Sequence, residues 1–395
     1  MKFSLLIIIL YTVLSLLTAC QSAPNFSKNI QLSNSSLYAD EKYENYEGVY
    51  IESEDEIFAL NDDMRAMVAS KLANERDSRK KTIKLLKHFF SSEQTRLAYN
   101  AGANVIASQA YQNKEANCLS LTIMAYALAK EADLDVAFQS VNIPEYWVRN
   151  GRVNMLTGHV NLRVLKKKSP NKIVFLERSI SEIDFDPFVV KRSFSKKVIN
   201  KNTVIAMFYN NKGANAMVDG NYVTAYAYLK AATEIDSEFS SAWGNLGILY
   251  RFSGFEQQAI KTYQHAINLN QKNLTAMSNL SMLLHGNGEY EQAKKLDTII
   301  MRQRANNPYY YALLADEKFY IGAYGEAIHH YRKAIKLNKN IHEFYFGLAK
   351  VYYMLDEVEK AQRYLKKAIA KNKVTHFDKQ YIAKLNILQE SRRLN

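Results

Sequence analysis

Cysteine is nearly absent from this chain: Cys20 and Cys118 are the two in 395 residues. So few exclude a disulfide framework as the source of stability. Proline is as scarce, at five residues, which leaves long stretches free to form unbroken helices. No Cys/His zinc-ligand spacing, glycine-rich phosphate loop or interleaving of aromatic with basic residues is present. Those absences exclude structural zinc, phosphate-loop nucleotide chemistry and nucleic-acid binding, and no metal or cofactor is expected. The net charge of +13 does not alter this, because the basic residues are scattered. Their one dense stretch, Lys166-Lys167-Lys168, falls where a turn is expected. Residues Asp40 to Glu56 are acidic instead and read as a solvated linker. Length suits two domains, and 48% apolar residues supply ample cores.

What is present is a period. Aligned at Ala206, Ser240, Leu274, Pro308 and His342, five segments repeat every 34 residues without insertion. The eighth position is always small: Gly213, Gly247, Ser281, Ala315, Ala349. The twentieth is Ala225, Ala259, Ala293, Ala327 and Ala361, and the fifteenth is Gly220, Gly254, Gly288, Gly322 and then Asp356. This pattern resembles the tetratricopeptide repeat, a helix–turn–helix unit. Small residues let paired helices approach and glycine turns the chain between them. The second repeat shows the full pattern in Trp243, Leu246, Tyr250, Tyr263 and Ala266; the third departs from it with Asp297 and Ile300. His376–Leu388 reads as a polar-faced capping helix.

Stacked repeats offer an extended concave surface for a protein or peptide partner. The resemblance implies that positions two, five, nine and twelve of each first helix line it. Position twelve gives Met217, Arg251, His285, Phe319 and Tyr353; position nine gives Ala214, Ile248, Met282, Asp316 and Lys350. Arg251, His285, Phe319, Lys350 and Tyr353 are the peptide-binding candidates. No repeated Lys/Asn constellation is evident.

At the other end, Lys2 precedes an apolar run from Phe3 to Leu17, a signal-peptide core too short to span a membrane. Leu17-Thr18-Ala19-Cys20 resembles the lipobox of bacterial lipoproteins. The resemblance implies lipidation of Cys20 and a membrane anchor. Gln21, rather than Asp, implies the outer membrane of a Gram-negative bacterium, with the protein facing the periplasm.

Lipidation of Cys20 leaves Cys118 as the thiol of the mature chain. It opens a glycine- and proline-free run through Ala129 and so sits at a helix start, where the macrodipole favours a thiolate. A nucleophilic thiolate needs a base and an orienting acid. His88 lies among alternating basic and apolar residues and reads as a surface or packing residue. His159 opens Gly158–Val164, an alternating strand with His159, Asn161 and Arg163 on one face and Val160, Leu162 and Val164 on the other. A second strand is expected over Lys172–Glu177; a hairpin centred on Lys168 sets Glu177 opposite His159. Asp184 competes for the same role.

Cys at a helix start, His on the next strand and an acid beyond it resemble the transglutaminase-like branch of the papain-like fold. Asn117-Cys118-Leu119-Ser120-Leu121, Trp147 after Ile143-Pro144, and His159-Val160-Asn161-Leu162-Arg163-Val164 carry the likeness. It implies Cys118 as nucleophile, His159 as base and Glu177 or Asp184 as orienting acid in amide hydrolysis or transfer. Trp147 either walls the site or sits in the core.

The expected architecture is therefore an α+β papain-like, transglutaminase-like domain followed by an all-α tetratricopeptide-repeat solenoid. Its parts are a signal peptide with lipobox (1–20), an acidic linker (21–59), the cysteine domain (60–203), five repeats (204–375) and a capping helix and tail (376–395). The expected function is that of a membrane-anchored protein-binding lipoprotein with a cysteine domain acting on amide bonds. The alternative is an envelope scaffold with a degenerate cysteine domain.

Overall fold

A computed structural model describes residues 34–90, 97–100, 102–150, 153–165, 179–185 and 194–372. Cys20, Lys166–Lys168, Glu177 and the expected capping helix lie outside these residues. The chain divides into two units, Met1–Ala39 and Asp40–Asn395. In the first, Asn34–Leu37 forms one 3-10 turn; everything below concerns the second.

Its N-terminal part is α+β. Helices α1 (Glu54–Ile57), α2 (Asp62–Lys71), α3 (Ser78–Phe90), α4 (Ala107–Asn113) and α5 (Cys118–Glu131) accompany a two-stranded parallel pair, β1 (Ala98–Tyr99) and β2 (Glu115–Ala116). Strands β3 (Val136–Asn150), β4 (Val153–Leu165), β5 (Ser179–Ile183) and β6 (Lys196–Ile199) form an antiparallel sheet in the order β5-β4-β3-β6. Ten of the fourteen residues of α5 are buried, among them Leu121, Met124 and Leu128. They share one core with Phe138, Val160, Leu162, Val164 and Ile183 of the sheet. That core continues without a break into Val204, Ile205 and Phe208 of the first repeat.

The alternation over β4 is real, but both faces are covered: His159 and Asn161 are as buried as Val160 and Leu162. The pairing differs from the expected register. Leu162 faces Ile183 and Arg163 faces Glu182, so the partner strand lies further along the chain than a tight turn at Lys168 requires. This register carries Asp184, the residue after β5, towards Asn161.

β3 and β4 are longer than their neighbours. β6 pairs β3 through Phe138–Val141, with one further bond from Asn142 N–H to the Ser195 carbonyl at 2.9 Å, and β5 pairs β4 through Leu162–Leu165. The remaining halves project as a two-stranded arm. The β3–β4 register shifts between Val141 and Tyr146, and Pro144 sits in that irregularity, where a strand tolerates a residue without an N–H.

The ten helices that follow among the described residues are α6 (Lys201–Val218), α7 (Tyr222–Ile235), α8 (Ser240–Phe252), α9 (Glu256–Leu269), α10 (Leu274–Gly286), α11 (Tyr290–Arg304), α12 (Pro308–Tyr320), α13 (Tyr324–Leu337), α14 (His342–Met354) and α15 (Val358–Lys371). They pair in the expected 34-residue units. All four fifteenth-position glycines have φ between +77° and +81°, and Asp356 takes the same left-handed turn at +60°.

The expected solvated linker is instead a packed strap. Tyr43 is buried and stacks on Tyr226, ring centroids 4.3 Å apart. Asp40 accepts hydrogen bonds from Tyr226 and Lys230, both at 2.7 Å. Glu52 accepts from Tyr228 at 2.7 Å and pairs with Lys212. Acidic residues that read as solvent-facing in the sequence are the partners of a basic, tyrosine-rich surface on the first repeat.

Candidate functional site

The site begins at the N-terminus of α5. Asn117 caps the helix, its side-chain oxygen accepting from Ser120 N–H at 2.8 Å. Its amide donates to Asn104 Oδ1 at 3.2 Å, and Asn104 in turn donates to the Phe208 carbonyl of α6 at 3.0 Å. Cys118, the first helical residue and half-buried, is thus held against the first repeat. One turn on, the Thr122 hydroxyl lies 2.8 Å from the Cys118 carbonyl and 3.1 Å from that of Val160. This sets the helix start beside the residue that follows His159.

His159 has its acid. Both carboxylate oxygens of Asp184 lie at 3.0 and 3.1 Å from His159 Nε2, and the Asn161 amide donates to the same carboxylate at 2.7 Å. The two side chains are 2% and 6% exposed, so the pair is shielded from water. Both contacts are made through Nε2, so the other ring nitrogen, Nδ1, makes none to Asp184. Asp184, rather than Glu177, is the acid that the described residues bring to His159. Asn161 was legible as sharing a face with His159 but not as a second hold on the carboxylate; that needs the true β4–β5 register.

His159 also reaches the wall of a cavity of about 740 Å³. Its other walls are the arm (Glu145, Trp147, Met155, Thr157), β6 (Lys196, Lys197) and the first helices of the first three helix pairs (Met207, Asn210, Ala214, Met217, Ser241, Ile248, Thr275). Leu119 lines it; its neighbour Cys118 does not. Trp147 therefore walls the cavity rather than filling the core.

The arm is fastened across the helix pairs. Glu145 accepts from Arg304 Nε at 2.7 Å and Nη2 at 3.1 Å, and its carbonyl accepts from the Asn307 amide at 2.8 Å. The Arg304 guanidinium lies 5.1 Å from the Trp147 ring and 5.4 Å from that of Tyr310. Such a bidentate, stacked arginine is among the stronger polar contacts available to a protein. The sequence offered no sign of it: a lone Glu and a lone Arg 159 residues apart carry no motif.

Comparison with known proteins bears on the helical part. Tetratricopeptide-repeat family models match residues 240–273, 273–308 and 315–356. The C-terminal part is a tetratricopeptide-repeat solenoid. Curated relatives include the photosystem I assembly protein Ycf3 of Acaryochloris marina, 31% identical over 23% of this chain and 58% of that protein. The Prochlorococcus marinus protein of the same description is 24% identical over 32% of this chain and 70% of its own length. This chain thus spans little more than half of the first relative. Among solved structures, Pseudomonas aeruginosa PilF is 19% identical over 49% of this chain and 88% of its own, with a TM-score of 0.31. A MamA structure is 20% identical over 42% of this chain and 91% of its own, with a TM-score of 0.26.

Within the tetratricopeptide solenoid, position nine reaches the cavity through Ala214 and Ile248 and position twelve through Met217. The five side chains expected to bind peptide lie elsewhere. Arg251 is half-buried, its guanidinium 4.6 Å from the Phe252 ring. His285 hydrogen-bonds Asp297 of its own repeat at 2.9 Å. Lys350 pairs with Asp316 at 3.4 Å and lies 5.2 Å from the Phe319 ring. Tyr353 is exposed. The cavity instead gathers asparagines from positions five and six, Asn210, Asn211 and Asn245. At position six the asparagine recurs as Asn211, Asn245 and Asn279 before lapsing at Leu313, and the Asn279 amide donates to the Thr275 carbonyl of its own helix at 2.9 Å.

Proposed function

We propose that this protein is a lipid-anchored envelope protein whose repeats hold a protein partner and whose transglutaminase-like domain hydrolyses or transfers an amide bond. The observation that carries the reading is the buried His159–Asp184 pair beside a helix that begins with Cys118. In the proposed chemistry the Cys118 thiol gives its proton to His159 Nδ1 and its sulfur attacks the amide carbon. Asp184 stabilises the resulting imidazolium through Nε2. Collapse of the adduct breaks the C–N bond, the leaving amine takes the proton from His159, and a thioester remains. Water releases an acid from it, or a second amine releases a new amide. Protein binding is common to this reading and to that of a scaffold with a retired cysteine domain.

The deciding measurement is the pH dependence of iodoacetamide labelling at Cys118, in a soluble chain beginning after Cys20. Labelling with an apparent pKa well below the free-thiol value of about 8.5 is expected. His159→Ala is expected to abolish the activation and Asp184→Asn to weaken it, with Glu177→Ala unchanged. Slow labelling, indifferent to His159→Ala, supports the scaffold reading instead. Anchoring is tested separately: palmitate incorporation in a Gram-negative host is expected to vanish with Cys20→Ser.

A further inference from the structure

Basic residues that lie scattered along the sequence are gathered by the fold. In the second helices of repeats two to five (α9, α11, α13 and α15), positions twenty, twenty-four and twenty-seven pack inwards, as Ala259, Tyr263 and Ala266 do in α9. Positions twenty-two, twenty-five, twenty-six and twenty-nine fall on the opposite side of the same helix. Nine of those sixteen residues are Lys or Arg and none is Asp or Glu, whereas an ordinary solvated face mixes both signs. The density rises towards the last two repeats: Arg332, Lys333 and Lys336 of α13 and Arg363, Lys366 and Lys367 of α15 are all exposed. The helix macrodipole explains Glu326 and Glu359 in the first turns and Lys336 in a last turn, but its reach ends there and leaves the mid-helix cations unexplained. Acids of this region pair elsewhere, Glu326 with Lys318 at 2.7 Å and Glu357 with Lys360. Lys333 lies 4.3 Å from the Tyr311 ring, Lys367 lies 5.1 Å from that of Tyr364, and Arg332 donates to the Tyr352 hydroxyl at 2.9 Å. Such contacts steady a cation without cancelling its charge.

We infer that the outer face of α13 and α15 docks on a lipid bilayer bearing anionic headgroups. Main-chain groups within a helix are paired to one another, so this face offers a partner only the charges of long, mobile side chains. Those charges keep no fixed spacing: position twenty-two is Lys261, Lys295, His329 and Arg363, while position twenty-five is Gln264, Thr298, Arg332 and Lys366. A nucleic acid or an acidic peptide carries its charges at set intervals, whereas headgroups diffuse to meet whichever cations face them. Each Lys or Arg held near such a surface is worth about a fivefold gain in affinity. The cavity is walled by first helices on the other side of the solenoid, so docking leaves it open. The inference rests neither on acylation of Cys20 nor on chemistry at Cys118.

The test is co-sedimentation of the mature chain with vesicles, using Cys20→Ser so that no acyl chain contributes. Vesicles of three parts phosphatidylcholine to one part phosphatidylglycerol are expected to retain the chain, and pure phosphatidylcholine is not. Retention is expected to vanish at about 1 M salt, where the screening length falls to about 3 Å. Lys333→Gln, Lys366→Gln and Lys367→Gln together are expected to weaken binding about a hundredfold. The control removes three equally exposed charges from α3, as Arg79→Gln, Lys80→Gln and Lys87→Gln, and is expected to change binding less than about twofold. Circular dichroism verifies folding of both triple variants. Equal retention on pure phosphatidylcholine, an equal loss from the two triple variants, or tighter binding to duplex DNA or polyglutamate than to the vesicles overturns the proposal. None of these results moves Cys118 labelling or palmitate incorporation at Cys20, so the docking face and the proposed function fail separately.

Discussion

Gly247 has no room for a methyl group: a Cβ there would lie 2.6 Å from a ring carbon of Tyr263. The ring belongs to position twenty-four of the same repeat, so the pair forms the contact that closes α8 onto α9. Gly213 meets Leu229 at 2.7 Å in the same way. In the third repeat the contact changes character, Ser281 donating to Asp297 at 2.5 Å. What read as a defect in the motif is a polar substitute for glycine over tyrosine, and the same carboxylate lies 2.9 Å from His285 Nε2. Gly247→Ala is expected to cost about 1–3 kcal/mol by overpacking, read from the urea midpoint. Gly254→Ala, at φ +81° with open space around it, tests backbone strain alone and is expected to cost about 1–2 kcal/mol. These contacts were legible because position eight is chosen locally. The acid beside His159 was legible only as a choice between two residues, since a strand register depends on connections that spacing does not define.

Strap and arm are elements that the sequence concealed, for opposite reasons. The strap's carboxylates looked solvated because their partners, Lys212, Tyr226, Tyr228 and Lys230, come from the repeats. Burial works to raise the Asp40 and Glu52 carboxyls, but hydrogen bonds from Lys230 and Tyr226, and from Lys212 and Tyr228, outweigh it and hold both below their ordinary values of 3.8 and 4.5. A folded-state pKa below the unfolded one means stabilisation in full above those ordinary values, lost as pH falls through the depressed ones. The protection of residues 40–57 from hydrogen exchange, taken relative to the unprotected rate at each pH, is therefore expected to fall under acid, and Lys230→Met to remove the Asp40 share of that dependence. The arm was concealed because its hold rests on one distant pair. Arg304→Ala leaves Glu145 without its guanidinium and is expected to loosen the arm by about 1.5–3 kcal/mol, read from hydrogen exchange in β3.

Across the whole molecule these fastenings matter more than the division into two domains. One core runs from α5 and the sheet into α6, the strap crosses to Ser253 through the Tyr43 hydroxyl at 2.9 Å, and the arm reaches Arg304 and Asn307. The first three repeats and the cysteine domain are expected to unfold together. Near-ultraviolet and far-ultraviolet circular dichroism are expected to give coincident urea transitions over that part, and separate ones count against it. The two-domain division in the sequence follows the change of period at about residue 204, which marks where helices begin and not where packing ends.

β4 belongs to both ends of this arrangement. The strand that faces the cavity at Met155 and Thr157 is the strand that holds His159 against Asp184, with Gly158 between. One strand thus lines the cavity and seats the imidazole, so the shape of that wall and the place of the ring are set by the same run of backbone.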